Sequence, residues 1–381
     1  MKHFSSSLVL FAFFATANSQ SSLTLGSLAT SRGLHFGAAV TFPGSPAAYD
    51  SVLVHAFNTV VCENAMKWQP TENTRNVFTF AAADAIVSFT LAHGMSMRGH
   101  NFVWHSQVPA WVSSITNRDT LLKVMKNHID SLAGHYKGKI YEWDVVNEAV
   151  ADGSTGLRTS FWFQRIGADF IDSAFVYAHR ADPNALLVYN DYGAEGMTGG
   201  SATKSTGVYN LVSGLKSRGI PINGVGLQCH LSTWDTASIG ANMTRIEALG
   251  LNVSITEFDD PQTDSTKQKA DYTAMVSLCL RHPRCKTFMT WGLNDAQSWL
   301  GAGKTPLLFT GTTTITAKPA YYAVVAAITG ATGIQQFGIE RAGVMRQVPA
   351  MKNGAVLFNS RSSIFDLQGR QMPILPVSLP K

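Results

Sequence analysis

The chain has 381 residues, of which 45% are hydrophobic and only 14% charged. That excludes a disordered polymer and a small disulfide-stapled domain, and leaves ample material for one large core. The net charge of +5 is uneven: residues 331–381 carry Arg341, Arg346, Lys352, Arg361, Arg370 and Lys381 against Glu340 and Asp366, while residues 20–330 balance 23 basic with 23 acidic side chains. A neutral body argues against nucleic acid as the main ligand, since phosphate binding needs a basic surface. It suits an uncharged or mildly acidic polymer.

In chain order, Lys2 and His3 form a short basic head, Leu8 to Ala15 an apolar middle, and Ala17-Asn18-Ser19 a small-residue site before Gln20. This is the layout of a secretory signal peptide over residues 1–19, with a buried N-terminal helix as the alternative. The apolar run is far short of the roughly 20 residues of a membrane span, so none is expected. Apolar, β-rich runs then recur at His35–Val40, Thr59–Glu63, Ser96–Phe102, Ile140–Asn147, Leu186–Asn190, Val225–His230, Val253–Glu257 and Thr287–Trp291. Helix-like segments lie between them. Thr120–Leu132 sets Leu121, Leu122, Val124, Met125, Ile129 and Leu132 largely on one face, and Ser160–Ala178 repeats the pattern after a capping Thr159.

Eight strands alternating with helices over about 300 residues predict an α/β protein with a (β/α)8 TIM barrel over 20–330, an open doubly wound sheet being the alternative. Residues 331–381 form a separate basic tail. There Ala355–Phe358 and Ser363–Leu367 read as short strands, with turns at Lys352–Gly354 and Gln368–Arg370. The tail is too small for an enzyme and reads as a sorting or attachment segment, or as an inert end.

Active residues of such barrels project from the C-terminal ends of the strands. Polar and aromatic residues gather where the apolar runs stop: Glu63-Asn64, His100 and Trp104, Asn147-Glu148, Asn190-Asp191-Tyr192, Gln228 and His230, Glu257, and Trp291. Any one of these has a structural explanation; seven loaded ends together do not. Amides and carboxylates pair with vicinal hydroxyls, and indoles offer flat faces to sugar rings. A glutamate on each of two strand ends supplies the carboxyl pair of glycoside hydrolysis, one keeping a proton for the leaving oxygen and one staying ionised.

At this point the residues resemble a known family. Glu63-Asn64-Ala65-Met66-Lys67-Trp68, Arg98-Gly99-His100, Val103-Trp104-His105-Ser106-Gln107 and Trp143-Asp144-Val145-Val146-Asn147-Glu148 are similar to glycoside hydrolase family 10, the endo-β-1,4-xylanases. The likeness continues through Asn190-Asp191-Tyr192, Gly226-Leu227-Gln228-Cys229-His230-Leu231, Ile255-Thr256-Glu257-Phe258-Asp259, Trp291-Gly292-Leu293-Asn294-Asp295, Trp299 and Lys318-Pro319-Ala320-Tyr321, covering about 24–330 in order.

The signal-peptide layout predicts a secreted or cell-surface protein, and a monomer is expected; the resemblance implies an enzyme that cleaves xylan and xylo-oligosaccharides with retention, Glu148 acting as acid/base and Glu257 as nucleophile. It implies that Asn147 holds the 2-hydroxyl of the sugar being cleaved and that His230, backed by Asp259, supports the nucleophile. His100 and Trp104 would line the same subsite, with Gln228 beside the acid/base, and Glu63, Asn64, Lys67 and Gln107 would grip the next sugar on the non-reducing side. Trp291 and Trp299 would roof the cleft, with Tyr192 on the leaving-group side. Cys279 and Cys285, six residues apart, match a pair disulfide-bonded in many relatives.

The departures are small: Phe258 stands where leucine is usual, and Cys229 where a small residue is usual. Cys62 and Cys229 read as free, buried small hydrophobes. Without CxxC spacing no metal is expected, and no cofactor. Gly301-Ala302-Gly303-Lys304-Thr305 imitates a phosphate loop, but Ser298 replaces its first glycine; Gly224-Val225-Gly226 starts a dinucleotide fingerprint that fails at Cys229. Asn242-Met243-Thr244 and Asn252-Val253-Ser254 are glycosylation sequons. A sister barrel cleaving β-1,4-glucan and a catalytically silent carbohydrate-binding barrel remain as rival readings; both glutamates are present, which speaks against the second.

Overall fold

The structure is a computed structural model that describes residues 24–41 and 47–330, together with two short strands at 364–365 and 371–372. Among the described residues eight strands build the central sheet: β1 (His35–Val40), β2 (Thr59–Cys62), β3 (Ser96–Val103), β4 (Glu142–Asn147), β5 (Leu186–Asp191), β6 (Gly224–Leu227), β7 (Asn252–Phe258) and β8 (Cys285–Thr290). Each pairs in parallel with the next, and β8 closes on β1 through His35↔Thr287 to Ala38↔Thr290. The result is a closed (β/α)8 barrel and not an open sheet. Parallel strands need crossover connections, which here are helices. The outer face of the sheet is thereby covered, so the strands read as unbroken apolar runs, as in the wholly buried Thr59-Val60-Val61-Cys62 of β2.

The helix Arg118–His135 shows how the sequence specifies the outer ring. Asn117 caps it by accepting from the Thr120 N–H, Asp119 sits in its first turn, and Leu121, Val124, Met125, His128, Ile129 and Leu132 are buried. The stretch read as one helix over Ser160–Ala178 is two, Phe161–Ile166 and Asp169–Ala181. The break falls at Gly167, where φ is +93°, and the cap is Ser160, whose hydroxyl accepts from the Phe163 N–H, not Thr159. Apolar periodicity runs straight through this break and conceals it. The sixth strand also stops earlier than expected, at Leu227, because the chain turns at Cys229 with φ +63°; His230 makes only an isolated bridge with Asp259. The second and fourth strands are shorter too, ending at Cys62 and beginning at Glu142.

The barrel interior holds a layer of buried charge. Arg98 on β3 is fully buried, 2.7 Å from Glu142 Oε1 and gripping both oxygens of Asp144 at 2.7 and 2.5 Å. Ser254 on β7 donates to Glu142 at 3.2 Å, a contact that crosses the barrel because β4 and β7 are not neighbours. Burial raises the Glu142 carboxyl despite Arg98, whereas for Asp144 the guanidinium and His100 outweigh burial and hold it low.

Cys279 and Cys285 are disulfide-bonded, and Cys62 and Cys229 are free and buried. No helix among the described residues is long and apolar enough to cross a membrane. Farther along, Ile364–Phe365 and Gln371–Met372 pair antiparallel, while the expected turn at Gln368–Arg370 lies outside the described residues. The signal segment 1–19, the turn at Lys352–Gly354 and the strand reading of Ala355–Phe358 lie outside the described residues.

Removing one partner of a buried ion pair strands the other charge in a low-dielectric interior. Arg98→Met should therefore cost about 3–5 kcal/mol of stability, read as a fall in the urea midpoint. A loss within about 0.5 kcal/mol, as expected for an ordinary surface change, would show that the layer does not hold the barrel together.

Candidate active site

The C-terminal ends of the strands bring the expected polar residues into one cleft. Glu148 follows β4 with a left-handed backbone, φ +58°. Its side chain is met by neutral donors: Trp104 Nε1 gives 2.8 Å to Oε2, and Gln228 Nε2 gives 3.0 Å and Asn147 Nδ2 3.3 Å to Oε1. Glu257, near the end of β7 and 4% exposed, is held differently. Asn190 Nδ2 donates to its Oε1 at 2.7 Å, and His230 Nε2 lies 3.2 Å from its Oε2.

The two carboxyl groups share one network. Asn147 Oδ1 accepts from Asn190 Nδ2 at 2.9 Å and from Gln228 Nε2 at 3.2 Å. Asn190 thus reaches Glu257 and Asn147, while Gln228 reaches Asn147 and Glu148. Amides suit this bridge because each offers both donors and an acceptor. Asn190 was legible as a polar strand end, but nothing in the sequence indicated its contact with Glu257.

His230 links Glu257 to Asp259. Its Nδ1 is 2.8 Å from Asp259 Oδ2, so both ring nitrogens face carboxylate oxygens and both must donate. Burial opposes the charged ring, but the hydrogen bonds to Asp259 and Glu257 and their charges raise it to about 10 from an ordinary 6.5. For Glu257 burial works upward, and the His230 hydrogen bond with the charges of His100 and His230 brings it below its ordinary value. The surroundings of Glu257, the nucleophile candidate, thus favour its ionised form.

His100 connects this site to the buried charge layer through Nδ1, 2.8 Å from Asp144 Oδ2. His100, Asp144 and Glu257 offer ligand atoms within 4.8 Å of one another, the geometry of a possible metal cluster. Arg98 and His100 already occupy the Asp144 oxygens, so the local cation is the guanidinium.

Around this centre, Lys67 Nζ and Gln107 Nε2 converge on Asn64 Oδ1 at 2.9 and 3.2 Å, and Asn64 Nδ2 donates to Glu63 at 3.2 Å. Burial raises Glu63 and lowers Lys67. Trp291 is nearly buried and stands edge-on to both His100 and His230, whereas Trp299 is 52% exposed with its indole N–H donating to Asp259 Oδ2 at 2.7 Å. Trp299 is therefore the indole that presents itself to solvent. Tyr192 lies on the Glu148 side: its hydroxyl donates to Asp152 and accepts from Arg158, whose Nε also donates to the Glu148 carbonyl at 3.2 Å. Arg158 and Asp152 were not expected from the sequence, where they are two loop charges among many.

The sequon at Asn242 is spent internally, since its buried amide donates to the Ala194 and Glu195 carbonyls at 2.8 Å.

The model of glycosyl hydrolase family 10 matches residues 24–327. Endo-1,4-beta-xylanase 3 of Hypocrea jecorina is 37% identical over 309 residues, covering 80% of this chain and 86% of that one. Endo-1,4-beta-xylanase A of Thermoanaerobacterium saccharolyticum is 39% identical over 290 residues, 71% of this chain but 24% of that protein, so the chain spans about a quarter of that relative's length. Among solved structures, xylanase 10B of Thermotoga petrophila in complex with xylobiose superposes with a TM-score of 0.76 at 33% identity, covering 81% of this chain and 98% of that one.

Two predictions arise from the geometry. A Cβ on Gly226 would lie 2.2 Å from Asn190 Oδ1 and 2.9 Å from Thr256 Cγ2. Gly226→Ala should therefore displace Asn190 from Glu257 and lower turnover about 10²-fold, as small misplacements near a reacting centre do; unchanged steady-state kinetics would remove Asn190 from the site. For His230 the folded value lies above the unfolded one, so its stabilisation is complete below pH 6.5 and drains away as pH rises to about 10. The melting-temperature gap between the wild type and His230→Asn should close over that interval, and a gap that widens with pH contradicts the charged ring.

Proposed function

The chain belongs to glycosyl hydrolase family 10, and on that footing we propose that it is an endo-1,4-β-xylanase that hydrolyses internal xylosidic bonds with retention of configuration. The observation that carries the mechanism is the amide network joining Glu257 to Glu148 across one cleft, with a cationic imidazole on one carboxylate and neutral donors on the other. Glu257 attacks the anomeric carbon as the bond to the leaving sugar breaks, and Glu148 gives that sugar's oxygen its proton. Water, deprotonated by Glu148, then displaces Glu257 from the glycosyl-enzyme, and inversion twice over gives retention. Asn147 has a second amide hydrogen for the 2-hydroxyl, a contact that strengthens as charge develops.

Lys67, Asn64, Gln107 and Glu63 take the adjoining sugar on the non-reducing side, and Tyr192 contacts the leaving side. Xylose lacks the exocyclic hydroxymethyl of glucose, and Trp299 with the Lys67/Gln107 side closes over that position. Discrimination of this size is worth about 1–3 kcal/mol per site, so weak cleavage of cello-oligosaccharides is compatible with the reading.

Export is part of the proposal. The N-terminal segment has the layout of a signal peptide, and the Cys279–Cys285 disulfide fits an oxidising compartment. The basic tail we assign to cell-surface sorting or substrate attachment, and the enzyme we take to act as a monomer.

Reducing-sugar release should be strong from xylan and weak from carboxymethyl-cellulose; release from neither leaves only a binding protein. Glu257→Ala should abolish turnover, and azide should restore it as the inverted glycosyl azide. A retained azide product, or no rescue, rejects Glu257 as nucleophile. Mature protein from the medium should begin at Gln20 by N-terminal sequencing, and an intact Met1 in the medium would dismiss the signal peptide.

A further inference from the structure

Tyr189 on β5 is fully buried and contributes nothing to the surface of the cleft. Its phenol oxygen accepts from two successive backbone N–H groups, those of Ala149 and Val150, each at 3.0 Å. These are the two residues that follow Glu148, whose φ is +58°. Consecutive N–H groups converging on one point form a nest, a concavity that ordinarily receives an anion. Here a phenol fills it and donates its own hydrogen bond to Asp191 Oδ2 at 2.5 Å. Asp191 is itself fully buried, its other oxygen taking Lys204 Nζ at 2.9 Å and the Tyr192 N–H at 3.0 Å.

A residue with a Cβ resists left-handed backbone and stays there only when its surroundings over-determine it. Glu148 is restrained before, on and after its own peptide units: its N–H donates to the Asn190 carbonyl at 2.8 Å, its carbonyl accepts from Arg158, and the next two N–H groups are pinned by Tyr189. Of these partners only Tyr189 holds the chain after the turn through a single hydroxyl that can be deleted without emptying a volume.

We propose that Tyr189 is a positioning residue for Glu148: its hydroxyl locks the turn that aims the Glu148 carboxyl at the leaving oxygen. This rests on Glu148 being the general acid. Loss of the hydroxyl leaves the buried Ala149 N–H without its acceptor and the Val150 N–H with only a long contact to Asp191 Oδ2 at 3.4 Å; the turn relaxes, and the carboxyl moves off the leaving oxygen while Glu257 and its partners keep their places. The defect is confined to proton donation.

The test compares Tyr189→Phe and Glu148→Ala on two aryl xylobiosides, one with a phenyl and one with a 2,4-dinitrophenyl leaving group. The dinitrophenolate departs without a proton. For Tyr189→Phe, kcat/KM on the phenyl substrate and on xylan should fall about 10²-fold, the scale of a misplaced catalytic group, while kcat/KM on the dinitrophenyl substrate stays at the wild-type value. Equal loss on both substrates, or no loss on either, overturns the proposal, because a merely structural hydroxyl would not distinguish leaving groups. Should Tyr189→Phe not fold, Asp191→Asn, which weakens the acceptor of the phenol proton, must show the same selective loss, and a uniform loss or none is again fatal. Glu148→Ala separates the two levels: if it too loses both substrates equally, the acid assignment fails first; if it is selective and Tyr189→Phe is not, only the role of Tyr189 falls.

Discussion

An ionised carboxylate cannot sit inside a protein uncompensated, and Glu257 is 4% exposed. Much of the barrel's interior chemistry follows from that constraint. The charge is met on one side by His230, which needs Asp259 to stay protonated, and Asp259 in turn receives the Trp299 indole. On the other side the field of His100 helps, and His100 is fixed by Asp144, Asp144 by Arg98, Arg98 by Glu142 and Glu142 by Ser254 across the barrel. Each group is the answer to the burial of the one before it. The chain of compensation runs from the cleft into the closed interior, so the site and the stability of the barrel are not separable properties. Replacing any member by an apolar residue of similar volume would strand its neighbour and not simply delete one contact.

The same logic explains why the two glutamates have such different neighbours. Glu257 is held by an imidazolium, a group that favours negative charge in any microstate of the pair. Glu148 is held by an indole N–H and two amide N–H groups, which orient an oxygen without bringing a formal charge to it. Carboxyl pairs on one fold divide their roles by environment in this way. The amides between them matter for a further reason: Asn190 and Gln228 each donate to a glutamate and to Asn147, so side chains of fixed size tie the two carboxyl groups together across the cleft.

The architecture was legible because strand and helix periods are local signals, and all eight strands lie where the apolar runs predict them. Strand-end polarity likewise announced the cleft, since it depends only on where each run stops. What the sequence concealed depends on partners far along the chain. Glu142 and Ser254 are 112 residues apart and Asn190 and Glu257 are 67 apart, and no local pattern marks either pairing. Gly167 was hidden for the opposite reason: apolar spacing continued through it, so the local signal was present and misleading. Cys229 shows a third case, in which a residue with no turn preference adopts φ +63° because its N–H is caught by the buried Glu195 at 3.0 Å.

Left-handed backbone at a strand end also solves a problem that the alternation of β-structure creates. Successive side chains of a strand point to opposite faces, so Asn147 and Glu148 could not both face the cleft if the chain continued straight. Both nevertheless bond to the same Gln228 amide. The φ of +58° at Glu148 re-aims its side chain to the side of its predecessor, and the buried network behind it exists to hold that conformation. Among the described residues only four non-glycines adopt positive φ, and three of them, Gln107, Glu148 and Cys229, border the cleft. Strain distributed in this way is expected where function fixes a side-chain direction that the regular backbone does not supply. It follows that the positions next to these three should tolerate change less well than their burial alone predicts, because each neighbour restrains a backbone that would otherwise relax.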